Sequence, residues 1–230
     1  MSEFAAGPAG RIERVRALMV ERGYDAIVVR DEANLRWLTG VKGVFDYTFE
    51  FPHAAFITAD QCLFHTDSRY LNSFEENTPA GSPWVYDMDE GTIPGWVAGK
   101  IAANKCRICA VEDDMQINFY QGIQRGLEDR SVACMLPLMH DDIRKMRAIK
   151  DAEEIELMRH AQSITDAAFE HIVRYMRPGM MERQVQLELE EFMLRHGAQG
   201  LAFPSIVATG PNGASPHAIP GATMLEAGQC

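Results

Sequence analysis

The run Ala26-Ile27-Val28-Val29 constrains the fold more than any other short stretch of the chain. A segment that is apolar at every position, and mostly β-branched, reads as a buried strand. It follows directly on Arg11 to Arg22, where Ile12, Val15, Leu18 and Met19 recur at helical spacing among arginines and glutamates, with Gly23 placed to terminate the helix. An amphipathic helix leading into a buried strand predicts an α/β layer.

The next segments extend that pattern. Trp37-Leu38-Thr39-Gly40 ends a further short element. Ala54 to Thr58 and Cys62 to Thr66 flank the tight connection Ala59-Asp60-Gln61 and predict a hairpin, so the sheet is expected to be mixed. Asp67-Ser68 is placed to cap a helix from Arg69 to about Asn77, followed by a Pro/Gly-rich loop over 78–83 and a strand at Trp84 to Tyr86. A helix from about Pro94 to Asn104, a strand from Arg107 to Glu112, a helix from Met115 to Leu127 and a last strand from Val132 to Leu136 complete an α/β domain ending near residue 140. Glu112, Asp113 and Asp114 offer a carboxylate cluster, which is read as a strand end and helix cap, where acidic side chains favour the positive end of a helix.

Beyond residue 140 the texture changes. The charged stretch from His140 to Arg147 leads to Asp151 and Glu154, the spacing of a capping box with aspartate as cap. A long helix is predicted from there, with Ile155, Met158, Ala161, Ile164, Ala168, Phe169, Ile172 and Met176 on one face and Arg177-Pro178-Gly179 as terminator. His160 and His171 fall off that face and are expected to be solvated. Val185, Leu189, Phe192 and Met193 form the stripe of a second helix closed by Gly197, with Glu188, Glu190 and Glu191 on an exposed acidic side. The expected division is a frayed terminus over 1–10, an α/β domain over 11–140, and an incomplete domain over 141–230, since two helices and a strand cannot close a core.

Composition narrows the function classes. With 22 Lys+Arg against 33 Asp+Glu, the net charge of −11 disfavours a nucleic-acid backbone or an anionic membrane as partner. No apolar run reaches the roughly 20 residues of a membrane span, and the charged amino terminus lacks a signal-peptide core, so a cytoplasmic location is expected. The five cysteines at 62, 106, 109, 134 and 230 show no disulfide-framework spacing. Cys106 and Cys109 have the spacing of half a zinc site, but no second pair accompanies them, and they are read as small apolar fillers on a strand.

The stretch with chemical potential is Phe203 to Pro220, FPSIVATGPNGASPHAIP. Ile206-Val207-Ala208 reads as a short buried strand that stops near Gly210. Asn212-Gly213 can supply the positive φ angles of a tight connection, and Pro216 and Pro220 push Ser215 and Ile219 towards extended backbone. His217 is thereby held on stiff chain. It can serve as proton donor, hydrogen-bond donor to a carbonyl, metal ligand, or simply as a structural loop histidine.

FPSIVATGPNGASPHAIPG resembles the segment carrying the first active-site histidine of the pita-bread metallopeptidases, in the branch of the Xaa-Pro aminopeptidases and Xaa-Pro dipeptidases (prolidases). MRAIKDAEEIELMRHAQSITDAAF (146–169) and RPGMMERQVQLELEEFMLRHGAQG (177–200) resemble the opening helices of that catalytic domain, and residues 11–140 resemble the creatinase-type amino-terminal domain. The resemblance implies hydrolysis of the peptide bond before proline by a metal-bound hydroxide, peptides with proline at the second position as substrates, two divalent ions, Mn2+ by expectation, and a homodimer. It implies His217 as catalytic residue, hydrogen-bonded to the scissile carbonyl or the tetrahedral intermediate. None of the family's five metal ligands, two aspartates, a histidine and two glutamates, matches a residue here. The segment is therefore expected to be inactive alone and to be the first half of a longer enzyme. A creatinase-like metal-independent C–N hydrolase and a non-catalytic binding or dimerisation module are the alternatives.

Overall fold

A computed structural model describes residues 7–42, 52–88 and 91–229, which fall into two compact units, 1–149 and 150–230. The expected fraying of residues 1–6, and Cys230, lie outside the described residues.

The first unit is built around β1 (Ala26–Val29), buried at every position as its composition demands. It pairs antiparallel with β2 (Ala54–Thr58) and parallel with β5 (Cys109–Val111), placing Ala26 opposite both Thr58 and Cys109. The hairpin between β2 and β3 (Cys62–His65) forms as predicted, and β4 (Val85–Asp87) adds in parallel, giving the mixed order β4-β3-β2-β1-β5. Helices α1 (Gly7–Arg22) and α2 (Glu32–Thr39) contribute to the core containing Ile27 and Val29. Helices α4 (Ile93–Ala103) and α5 (Ile117–Glu128) contribute to the core containing Ala26 and Val28. Alternate side chains of one strand thus feed two hydrophobic layers, as a sheet covered on both faces requires. Each fully buried large side chain adds roughly 1.5–3 kcal/mol.

Two glycines are fixed by geometry. Gly40 ends α2 with φ +68°, and a Cβ there would come within 2.6 Å of Pro8 Cγ. Gly126 lets α5 approach α4, since a Cβ would lie 2.7 Å from that of Ala98.

Several expectations are corrected. Helix α1 begins at Gly7 rather than Arg11, with Gly10 already buried, because Pro8 can occupy the first turn without losing an intrahelical bond. Asp67 does not cap α3 (Leu71–Asn77); its carboxylate takes the Arg69 amide at 2.9 Å and pairs with the Arg69 guanidinium. The expected strand at Val132 to Leu136 is reduced to two isolated bridges, Ile108 to Met135 and Val111 to Leu138. Pro137 accepts from the Val111 amide at 2.9 Å but cannot donate in return, which interrupts a regular ladder. Helix α6 (Asp142–Ala148) packs within this unit, where Ile143 is in the core and the Arg147 guanidinium donates to Asn34 Oδ1 at 2.7 Å.

In the second unit, α7 (Ala152–Tyr175) opens with the predicted capping box: Asp151 accepts from the Glu154 amide, and the Glu154 carboxylate accepts from the Asp151 amide. It packs on α8 (Glu182–Arg195) through Ile164, Ala168, Ile172 and Val185. Of the rest of the predicted stripe Met176 is half-buried, but Ile155, Met158, Ala161 and Phe169 are not covered, Met158 being 57% and Phe169 67% exposed. His171 is not simply solvated. It shares a 2.6 Å hydrogen bond with Glu188 and stacks on the Phe192 ring at 4.3 Å, because the α7–α8 contact brings side chains 17 residues apart face to face. Glu188 and Glu190 therefore leave the expected exposed acidic side, Glu190 accepting from Gln186 and from the Ser205 amide, while Glu191 stays out and pairs with Arg195.

Candidate functional site

The residues around His217 are organised by a carboxylate at the start of α8. Gly179, with φ +88°, lets the chain turn after α7, and Glu182 becomes the first helical residue. A glutamate there ordinarily complements its own helix's positive end. Here its side chain is buried and serves another segment. Glu182 Oε1 accepts from the Thr209 amide at 2.9 Å and from Asn212 Nδ2 at 3.1 Å, while Oε2 accepts from the Gly221 amide at 3.1 Å. Burial opposes the charge, yet these three donors together hold the carboxyl below the usual glutamate range.

Main-chain bonds reinforce the attachment. The Glu182 amide donates to Thr223 O at 2.9 Å and the Arg183 amide to Gly221 O at 3.1 Å. Met180 and Leu225 exchange with their neighbours through Leu225 N to Met180 O and Gly179 N to Leu225 O, both 2.8 Å. Met181 and Met224 form an antiparallel bridge. Residues 209–221 are thus closed at both ends onto the beginning of α8.

Inside that loop a short 3-10 helix spans Gly210–Ala214, and the Ser215 amide returns to Asn212 O at 2.9 Å. The positive φ is at Gly210, +53°, and not at Asn212-Gly213 as expected, because Asn212 lies within the 3-10 turn and spends its side chain on Glu182 and Thr223. Ser215 is extended, as Pro216 requires. Ile206 to Ala208 form no strand, and Ile206 is 46% exposed, since no neighbouring strand pairs with them among the described residues. His217 itself sits exposed beyond Pro216, near the turn made by the Ala218 amide and Ser215 O at 3.2 Å. Glu182 carries no sequence motif that marks it. Its placement three residues past the helix-terminating glycine is the available hint.

The donor set does not suit a metal. Among the described residues no three or more His, Cys, Asp or Glu side chains gather where an ion could be held. Glu112 and Asp113, two of the three carboxylates of the 112–114 cluster, are taken up by protein donors instead. Glu112 turns inward, its carboxylate accepting from the Arg30 and Asp31 amides at 2.5 and 2.8 Å and from Asn34 Nδ2 at 2.7 Å. Burial pushes it up to about 7 against the pull of those donors. Asp113 accepts from the Asp141 amide at 2.8 Å, and α5 is capped at Gln116 without a side-chain bond, so neither aspartate is the cap expected. Cys106 and Cys109 are free buried thiols, Cys106 pushed up to about 11 and Cys109 well above its ordinary range by burial. No helix among the described residues is long and apolar enough to cross a membrane.

Comparison with known proteins agrees with this architecture. The Creatinase/Prolidase N-terminal domain family matches residues 11–149, more than half of the chain, and Metallopeptidase family M24 matches 156–230. An uncharacterized peptidase of Bacillus subtilis, YqhT, is 28% identical over 225 residues, covering 95% of this chain and 58% of the relative. The solved Xaa-Pro dipeptidase from Bacillus anthracis aligns with a TM-score of 0.83 at 28% identity, over 97% of this chain and 59% of that one. The X-Pro aminopeptidase from Thermotoga maritima aligns with a TM-score of 0.78 at 26% identity, over 95% and 58%. The chain therefore spans a little under three-fifths of the length of these relatives. With its five-stranded mixed sheet matched by one family and its Glu182-anchored histidine loop lying in the stretch matched by the other, this chain belongs to the creatinase/prolidase N-terminal domain family, followed by a segment of metallopeptidase family M24.

Proposed function

We propose that this chain takes part in Xaa-Pro peptide hydrolysis, on dipeptides or longer peptides with proline at the second position, and that His217 is its catalytic residue. The observation that carries the reading is the closed 209–221 loop, which presents an exposed imidazole on backbone fastened at both ends, within the segment matched by the metallopeptidase family. A neutral imidazole N–H can donate to the scissile carbonyl and strengthen that bond as the oxygen gains charge. Such a donor is worth on the order of 10²–10³ in rate. The family is one of metallopeptidases. Two Mn2+ belong to this proposal, as do a cytoplasmic location and a homodimer, but the described side chains form no donor set for the ions. A metal-bound hydroxide would supply the nucleophile.

The test compares two proteins. The 230-residue chain with added Mn2+ is expected to leave Xaa-Pro dipeptides intact. The same chain joined to the portion of the Bacillus anthracis dipeptidase that it does not cover is expected to hydrolyse them. In the joined protein His217→Ala should lower kcat about 10²-fold or more with a smaller change in KM and no loss of bound metal. Metal-dependent turnover by the 230-residue chain, or an unchanged kcat in the variant, would refute the assignment.

A further inference from the structure

We infer that Glu182 is the positioning residue for His217, its single carboxylate fastening both ends of the loop that carries the imidazole. The catalytic meaning of that positioning rests on the proposed Xaa-Pro reading, whereas the fastening itself does not. Thr209, at the loop's entrance, and Gly221, at its exit, are joined through the two oxygens of one side chain, and Asn212 ties the 3-10 turn to the same group. The carboxylate is fully enclosed, so water offers these donors little competition. No other side chain of similar size would suffice. A glutamine has one acceptor oxygen, so its amide nitrogen would face either the Gly221 amide or the Thr209 and Asn212 donors, leaving a buried N–H opposite another N–H. An aspartate is one methylene shorter and cannot reach both ends. Between the fastened ends lie Pro216 and Pro220, which limit the backbone around His217. Stiff chain between two fixed points sets where the His217 Cα and Cβ sit, and so the space its exposed ring can reach.

The 230-residue chain itself tests this, labelled with 15N and 13C, by amide hydrogen exchange at Thr209 and Gly221 and by relaxation of the His217 ring. Glu182→Ala should raise exchange at both amides by about tenfold or more, the loss of a charge-assisted hydrogen bond at each. Glu182→Gln should raise it at one end and spare the other. In both, the His217 ring should become more mobile while amides in the middle of α8 keep their protection. Asn212→Ala removes only the side-chain tie and should loosen the ring less. If Glu182→Ala does not fold, Glu182→Gln and Asn212→Ala decide the matter. Unchanged exchange and unchanged ring mobility in folded Glu182→Gln would overturn the inference. Loosened loops in these variants, together with no hydrolysis by the joined wild-type protein, would support the fastening and refute the Xaa-Pro reading. An active joined protein with unaltered loops in the variants would do the reverse.

Discussion

Replacing Glu112 with glutamine should change both the stability of the first unit and its dependence on pH. Glu112 is 5% exposed and accepts three hydrogen bonds, two from main-chain amides at the entrance to α2 and one from Asn34. Glutamine can keep one oxygen in place, but its amide nitrogen then meets a donor. Turning Asn34 over would relieve that contact only by sacrificing its 2.7 Å bond from Arg147. The cost at acid pH, where the carboxyl is protonated, is therefore about one neutral bond with a donor left unpaired, roughly 1–3 kcal/mol. The pH dependence has a definite sign. A carboxyl raised from 4.5 in the unfolded chain to about 7 in the folded one binds its proton more tightly when folded. Its contribution is fully present below about pH 4.5 and is lost as pH rises towards 7. The loss is at most about 3.5 kcal/mol, because a tenfold change in proton affinity is worth about 1.4 kcal/mol. Urea unfolding at about pH 5 and about pH 8 would measure it. The difference in stability between wild type and Glu112→Gln should shrink by about 1–3 kcal/mol between those values. A difference that stays constant or grows would show that Glu112 is already ionised at the lower pH and refute the reasoning.

Other perturbations bear on the folded architecture. Cys106 and Cys109, buried and held as thiols, should bind no zinc, since zinc takes thiolates from a nearly complete set of ligands; elemental analysis showing stoichiometric zinc that is lost in the double Cys→Ser protein would contradict this. A fragment ending at residue 149 should be more stable than one ending at 140 by about 2 kcal/mol or more, because only the former retains Ile143 in the core and the Arg147 bond to Asn34; equal midpoints in urea would count against it. Residues 150–230 alone should show no cooperative melting, with Phe169, Phe203 and Ile219 each more than 60% exposed, and a sharp calorimetric transition would show that the unit closes a core by itself.

Much of the first unit is legible because its determinants are local. Four consecutive apolar residues at Ala26–Val29 leave little choice but a buried strand, and the three residues Ala59-Asp60-Gln61 join two runs that can pair with each other. The Asp151–Glu154 capping box is likewise complete within four residues of chain. Errors cluster where a side chain found a remote partner. Asp113 and Asp114 stand before a helix, yet Asp113 turns to the Asp141 amide 28 residues on, and α5 starts without them. Val132 to Leu136 has the composition of a strand, but Pro137 limits what its neighbour can return.

The candidate site divides the same way. Sequence alone determined that His217 stands on proline-stiffened chain after a turn, because proline restricts its own φ and the residue before it wherever it occurs. Only the tertiary structure decided what fastens that chain. Glu182 lies 27 residues before Thr209 and 39 before Gly221, and whether its carboxylate meets water, its own helix end or those amides depends on how α8 meets the loop. Hydrogen bonds need donor and acceptor within about 3 Å, a condition that periodicity and composition do not encode and that the folded chain alone satisfies.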